Sequence, residues 1–443
     1  MSRTRVLILG AAGKDFHVFN MLFRQDEGIE VVGFTAQQIP HIDDRIYPAS
    51  ISGSLYPEGL PIFPEDELDD LVERLRVDRC VMAYSDVSHE YVMHLAARVN
   101  ALGAGFELPS ATRTMLDSKR SVVAVCASRT GVGKSQTSRA VAAVLREAGM
   151  KVVVVRHPMP YGDLARQKVQ RFAGEDDLVK HEVTIEEREE YEPHIASGSV
   201  VYAGVDYGAI LQEAEKEADV ILWDGGNNDT PFFRPDVHIT LVDPHRPGHE
   251  LRYYPGETNV RMADVIIINK VETAPPEGIQ EVRENVETVN PGALVLEAAS
   301  PIFLHEPGLL RGKKVLVVED GPTLTHGGMS YGAGTIAARR SGASSIVDPR
   351  PFLVGELVDT FEAYPELGAL LPAMGYGAGQ VKDLEATIAK AVEGGVEAVV
   401  VGTPIDLGRL VKIPVPHTRV GYELQVLGRP TLEDALSPVL KGR

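Results

Sequence analysis

Residues 121–139, Ser-Val-Val-Ala-Val-Cys-Ala-Ser-Arg-Thr-Gly-Val-Gly-Lys-Ser-Gln-Thr-Ser-Arg, run from an apolar strand into a glycine turn, a Lys-Ser pair and a helix. That order is the signature of a phosphate-binding loop. Gly131 and Gly133 let the backbone curl so that successive N–H groups face one anion, and the helix that follows presents its positive end to the same point. Lys134 then reaches the β- and γ-phosphates, the Ser135 hydroxyl serves Mg2+, and Gly131, Val132, Gly133 and Gln136 complete the expected nucleotide contacts. Ser128 stands where such loops usually carry their first glycine, so the strand before and the helix after are what support the reading.

The loop demands a parallel α/β setting, and the chain supplies one throughout its 443 residues. A first block, residues 1–118, has strands at 5–9, 30–36 and 79–84 and reads as a small Rossmann-like domain. Its turn, Gly10-Ala-Ala-Gly13-Lys14-Asp15-Phe16-His17, lacks the dinucleotide spacing. With Lys14 and His17 at a helix start, it is equally a candidate anion site or a tight structural turn. A second block, 119–310, carries strands at 121–127, 151–156, 219–223, 237–242 and 264–269 and is the P-loop NTPase domain. A third, 311–443, alternates again; its turn at 320–334 is rich in glycine and hydroxyls and includes His326. It suits a backbone cradle, a lid or a plain long turn.

Ligands of open parallel sheets sit at the carboxyl ends of the strands, so the residues following each strand of the middle block are the ones to inspect. Asp224 ends the run Val-Ile-Leu-Trp as a Walker B aspartate does, and with Ser135 makes a metal site for Mg2+. Asp163 follows the second strand, where a carboxylate would orient a nucleophile or the metal's water. Asn269-Lys270-Val271-Glu272 resembles the guanine-reading Asn-Lys-x-Asp motif, but the glutamate moves the acceptor. ATP is expected, and GTP stays open. Arg156, His157, Arg166, His245, Arg246 and His249 gather on these loops in a chain of net charge −19. Arginine forks in such number suit a compact second anion, a small phosphorylated acid; ion pairing with the acidic helix at 185–192 is the structural alternative. The acidic balance argues against a nucleic-acid or anionic-membrane partner. Two cysteines inside apolar runs and the absence of any long apolar stretch lead to the expectation of a reducing cytoplasm.

Together, Ala-Val-Cys-Ala-Ser-Arg-Thr-Gly-Val-Gly-Lys-Ser-Gln-Thr-Ser, Arg156-His-Pro-Met-Pro-Tyr-Gly-Asp-Leu, Thr184-Ile-Glu-Glu-Arg-Glu-Glu-Tyr-Glu-Pro-His194, Trp223-Asp-Gly-Gly-Asn-Asn-Asp229 and Asp243-Pro-His-Arg-Pro-Gly-His249 resemble the cyclic 2,3-diphosphoglycerate synthetase family. The loop itself is similar to those of dethiobiotin synthetase and the partition ATPases, in which a lysine often stands at the position of Arg129. The resemblance implies an ATP-dependent ligase that closes a phosphoanhydride within 2,3-diphosphoglycerate, releasing ADP and phosphate. The P-loop class leaves a trans-acting role for Arg129 open and leads to the expectation of a homodimer; with it, Lys134 and Asp163 are the expected catalytic residues by their loop positions, and Asn269 and Lys270 the expected nucleotide contacts by their motif. A regulatory or metallochaperone-like GTPase acting on a protein partner is the alternative, kept open by the Asn-Lys-x-Glu motif.

Overall fold

A computed structural model describes residues 3–10, 13–37, 45–157, 162–321, 324, 330–373, 378–403 and 407–441, without the side chains at 185, 186, 320 and 378. His326 and most of the glycine-rich 320–334 turn lie outside the described residues, as do Ala11, Ala12 and the segment 158–161. The chain divides into two compact units. One comprises Met1–Ala173, Gly198–Ala299 and Val426–Arg443; the other comprises Gly174–Ser197 and Ser300–Gln425.

The first unit holds two large sheets. Its amino-terminal sheet runs Ile46–Tyr47, Leu60–Pro64, Ile29–Ala36, Thr4–Leu9, Arg79–Met82, Gly105–Glu107, parallel except at the first pair. The strand Leu60–Pro64 is not expected from sequence, because its two prolines remove ladder donors. The nine-stranded sheet runs Gln170–Phe172, Val200–Ala203, Val152–Val155, Val220–Trp223, Ser121–Ala127, Val237–Val242, Val265–Ile268, Leu294–Ala299, Gln425–Leu427. The phosphate-loop strand is therefore central, with parallel neighbours on both sides. Its residues from Val122 onward are all buried, which is why it reads as a continuous apolar run rather than an alternating one. Parallel order brings the ends of Ser121–Ala127, Val152–Val155, Val220–Trp223, Val237–Val242 and Val265–Ile268 to one edge.

The second unit is built on Lys314–Asp320, flanked by Ala398–Val401 and Ser345–Ile346, with the helix Ala333–Arg340 packed on it. The acidic helix Ile185–Ala196, opened by a Thr184–Glu187 capping box, belongs to this unit, although sequence reading assigns it to the 119–310 block. The carboxyl-terminal residues 426–443, read with the third block, belong to the first unit. No helix among the described residues is long and apolar enough to cross a membrane.

Candidate functional site

Gly131 (φ +80°) and Gly133 (φ +105°) both adopt the left-handed conformation that the loop requires, and a Cβ on Gly133 would collide with the Asn269 and Gln136 side chains. Lys134 begins the helix Lys134–Glu147. Its Nζ donates to Asp224 Oδ1 at 2.6 Å and to the Gly225 carbonyl, while Arg156 Nη1 lies 2.8 Å from Asp224 Oδ2. Asp224 is fully buried and Arg156 nearly so. Taking a carboxylate out of water at this depth costs several kcal/mol, and these two cations offset it.

Three successive carbonyls of the loop are tied down from neighbouring strand ends. Arg246 Nη2 donates to Thr130 O at 2.9 Å, Lys270 Nζ to Gly131 O at 2.7 Å, and Asn269 Nδ2 to Val132 O at 2.8 Å. Holding the carbonyls this way leaves the loop N–H groups to an anion. Asp243 anchors two of the three clamps, with Arg246 at 3.1 Å and Lys270 at 3.2 Å. Burial pushes its carboxyl up, but Lys270, Arg246 and the His245 N–H outweigh this and hold it below the usual carboxylate range. Arg246, expected to meet substrate, and Asn269 and Lys270, expected to meet the base, are thus placed as clamps on the loop.

Arg129 is bound on three sides. Its Nε donates to Asp86 Oδ1 at 2.6 Å, Nη1 lies 2.8 Å from His249 Nδ1, and the guanidinium stacks 3.5 Å above the Tyr253 ring. The other oxygen of Asp86 accepts from Thr130 N at 3.1 Å, so one carboxylate from the bend after the strand Arg79–Met82 orients both Arg129 and the loop beside it. Burial and then the Arg129, Arg246 and Arg252 charges push the His249 imidazole below its ordinary pKa, so it accepts from Arg129 as a neutral ring. His157 lies against Gly226, where a Cβ would strike its ring. His245 Nε2 is 2.9 Å from the Thr273 hydroxyl.

Asp163 and Arg166 are exposed on the turn after the second strand. Asp163 Oδ1, expected to be catalytic, accepts from Ala165 N at 2.9 Å and Arg166 N at 3.4 Å and so caps its own turn. Ser135 is exposed beside Lys134, and Val132 is buried under the loop. His17, read from sequence as beside either an anion site or a tight structural turn, is stacked 4.0 Å from Phe232 and donates from Nε2 to the Thr114 carbonyl; burial pushes it down to about 4, so it is a neutral structural ring. Asp86 carries no motif and is invisible to sequence reading. Asp243 is a strand-end aspartate whose role appears only with its partners.

Known proteins resemble this chain in sequence. A family model described as the cyclic 2,3-diphosphoglycerate synthetase P-loop domain matches residues 172–299, which hold the Asp224, Asp243 and Asn269 strand ends. Arginine synthetase ArcE of Thermococcus kodakarensis is 60% identical over 434 residues, covering 98% of this chain and 96% of that protein. A cyclic 2,3-diphosphoglycerate synthetase of the same organism is 24% identical over 293 residues, 59% of this chain and 66% of that protein. Among solved structures, LpxK of Aquifex aeolicus with ATP is similar at a TM-score of 0.45 and 12% identity, over 84% of this chain and 99% of that one. The chain belongs to the cyclic 2,3-diphosphoglycerate synthetase family of nucleotide-dependent ligases, of which the arginine synthetase is a related member.

Proposed function

We propose that the chain is an ATP-dependent ligase that forms arginine from a ureide precursor, citrulline, and ammonia. The observation that carries this choice of acceptor is the state of the strand-end arginines. Arg129 is matched to Asp86, Arg156 to Asp224 and Arg246 to Asp243. A compact polyanion needs such charges unspent, whereas a neutral ureide on a zwitterionic amino acid does not. The extensive similarity to a protein named arginine synthetase supports the same reading.

A nucleotide-dependent route to a guanidinium group starts from the same carbon bearing oxygen in place of one nitrogen. The ureido oxygen attacks the γ-phosphorus, the bond to the bridging oxygen breaks and ADP leaves. Ammonia, formed as ammonium gives a proton to solvent, then attacks the carbon, and the C–O bond breaks with inorganic phosphate as leaving group and the guanidinium as product. The protein's task is positioning and charge neutralisation. Lys134 turns from Asp224 to the phosphates, and the clamped loop offers its N–H groups to them. Asp224 and the hydroxyl of Ser135, the residue after Lys134, would hold Mg2+, a hard cation that would neutralise β- and γ-phosphate charge; Asp224 would be freed on one oxygen when the nucleotide draws Lys134 away, while Arg156 stays on the other.

The name of the matching family model favours a second reading, in which 2,3-diphosphoglycerate is the acceptor and the product is its cyclic anhydride. Nucleotide turnover with Mg-ATP or Mg-GTP separates the readings. The expected result is ADP release that requires citrulline and ammonium together, with arginine formed in equal amount. Loss of the two monoester phosphorus signals to a cyclic anhydride pair would establish the second reading instead. GTP turnover indifferent to either acceptor would return the chain to the regulatory class. Lys134→Ala should abolish turnover while the protein stays folded.

A further inference from the structure

Where the carboxyl ends of the two sheets of the first unit meet, two oppositely charged side chains lie buried without pairing. Lys14 opens the nine-residue helix Lys14–Leu22, is 9% exposed, and its Nζ makes no hydrogen bond among the described residues. It rests 4.6 Å from the centre of the Tyr254 ring. The neighbouring carboxylate does not serve it by ion pairing: Asp15 Oδ1 accepts from the backbone at Gly13 N, 3.1 Å, and Phe16 N, 2.7 Å, in the first turn of the helix. Asp229, 7% exposed, follows the Walker B strand; Ser85 hydrogen-bonds its carboxylate, yet Oδ1 is buried with no donor among the described residues. Burial raises the Asp229 carboxyl to about 6, and the Lys14 and Lys134 charges, both within electrostatic reach, act against that rise.

An ammonium and a carboxylate oxygen kept buried and unbonded at strand ends cost stability that ordinary packing would avoid, and such groups mark ligand sites. Their chemistry selects the ligand. A carboxylate or phosphate would meet Lys14 but be repelled by Asp229 and Asp15. A simple ammonium would meet Asp229 but be repelled by Lys14 and Lys134. A group that offers an acceptor oxygen on one side and N–H donors on the other satisfies both.

We propose that Lys14 and Asp229 form the acceptor subsite and hold an amide-type carbonyl, the ureide: Lys14 donates to its oxygen and Asp229 accepts from its N–H groups. The amino-terminal sheet then supplies half of the acceptor site, beside the lysine that meets the γ-phosphate. The Asp229 carboxylate also faces the cationic guanidinium as it forms. This assignment rests on the arginine-forming reading above.

The test is calorimetric binding of citrulline to the full chain in the presence of Mg2+ and a non-hydrolysable ATP analogue. Lys14→Met and Asp229→Asn should each weaken citrulline binding about thirtyfold, the loss of a charge-assisted hydrogen bond, while binding the nucleotide analogue as the wild type does. Ornithine, which lacks the ureide, should bind about thirtyfold more weakly than citrulline to the wild type. Retained analogue binding certifies the fold of each variant, and Lys14→Arg, which keeps the charge but displaces it, replaces Lys14→Met if that variant fails this check; it should show an intermediate loss. Unchanged citrulline affinity in both variants, or equal affinity for ornithine, overturns the subsite and leaves the ligase reading standing. Failure of the wild type to bind citrulline overturns both.

Discussion

Asp224 and Glu319 are both buried carboxylates at the ends of central parallel strands, one in each unit, and they are neutralised by opposite means. Asp224 is met by two side-chain cations, Lys134 and Arg156. Glu319 is met by fixed groups: Gly332 N at 3.2 Å, Gly334 N at 3.0 Å, Thr335 N at 2.7 Å and the Thr335 hydroxyl at 2.9 Å, at the start of the helix Ala333–Arg340. A lysine can exchange its carboxylate for a phosphate; a helix's first amides cannot leave. The first arrangement is a site in waiting and the second is a cap, although both look alike as an acidic residue ending an apolar strand.

Replacing the two carboxylates separates them most sharply. Asp224→Asn should lower nucleotide turnover roughly a thousandfold, as loss of a preorganised charge does, and destabilise the first unit by about 3–5 kcal/mol by stranding buried cations. Glu319→Gln should leave turnover unchanged and cost about 1–3 kcal/mol, since the amide turns a donor toward backbone N–H groups. Equal losses of turnover in the two variants would break the distinction; steady-state kinetics and urea melts measure it.

Acid and base should act on the two units in opposite senses. His17 and His238 are pushed down by burial to about 4, so the unfolded chain binds protons that the folded one refuses between pH 6.5 and 4. Stability from these rings is present above pH 6.5 and is lost as pH falls toward 4, by up to about 3 kcal/mol each. Glu319 is raised by burial despite its N–H donors, so its contribution is present below the ordinary glutamate value and fades as pH rises through its raised one. Hydrogen-exchange melts that resolve the units should show the first weakening on acidification and lose part of that slope in His238→Gln. A pH-independent first unit would contradict the buried neutral rings.

The smallest expected effect concerns the clamps. Asn269→Ala frees the Val132 carbonyl and should raise the nucleotide Kd about tenfold, with ATP and GTP weakened alike because the amide grips the loop. Selective loss of one nucleotide would restore the base-reading role.

Local pattern made much of this legible. The loop at 128–136 and the five strands around it lie within one residue of where hydrophobic runs place them, because buried parallel strands are uninterrupted apolar runs. Asp224 was legible for the same reason: it is the first charge after such a run. The clamps were not. The groups that Arg129 and Arg246 clamp are set by three-dimensional register: Arg129 meets Asp86, 43 residues away in a bend, and Arg246 meets the Thr130 carbonyl, 116 residues away. Sequence reading takes clustered arginines as unspent charge, and pairing of that range has no spacing to betray it. Asp163 is ambiguous in sequence because a carboxylate on a strand-end loop caps a turn, as Asp163 does, as readily as it holds a nucleophile.

The central claim is that an acceptor oxygen is phosphorylated at the loop and displaced by nitrogen. Citrulline labelled with oxygen-18 in the ureide, supplied with Mg-ATP and ammonium, tests it through the phosphorus NMR isotope shift of the released phosphate. The account predicts the label in inorganic phosphate, in step with arginine formation. Phosphate released without the label would contradict it.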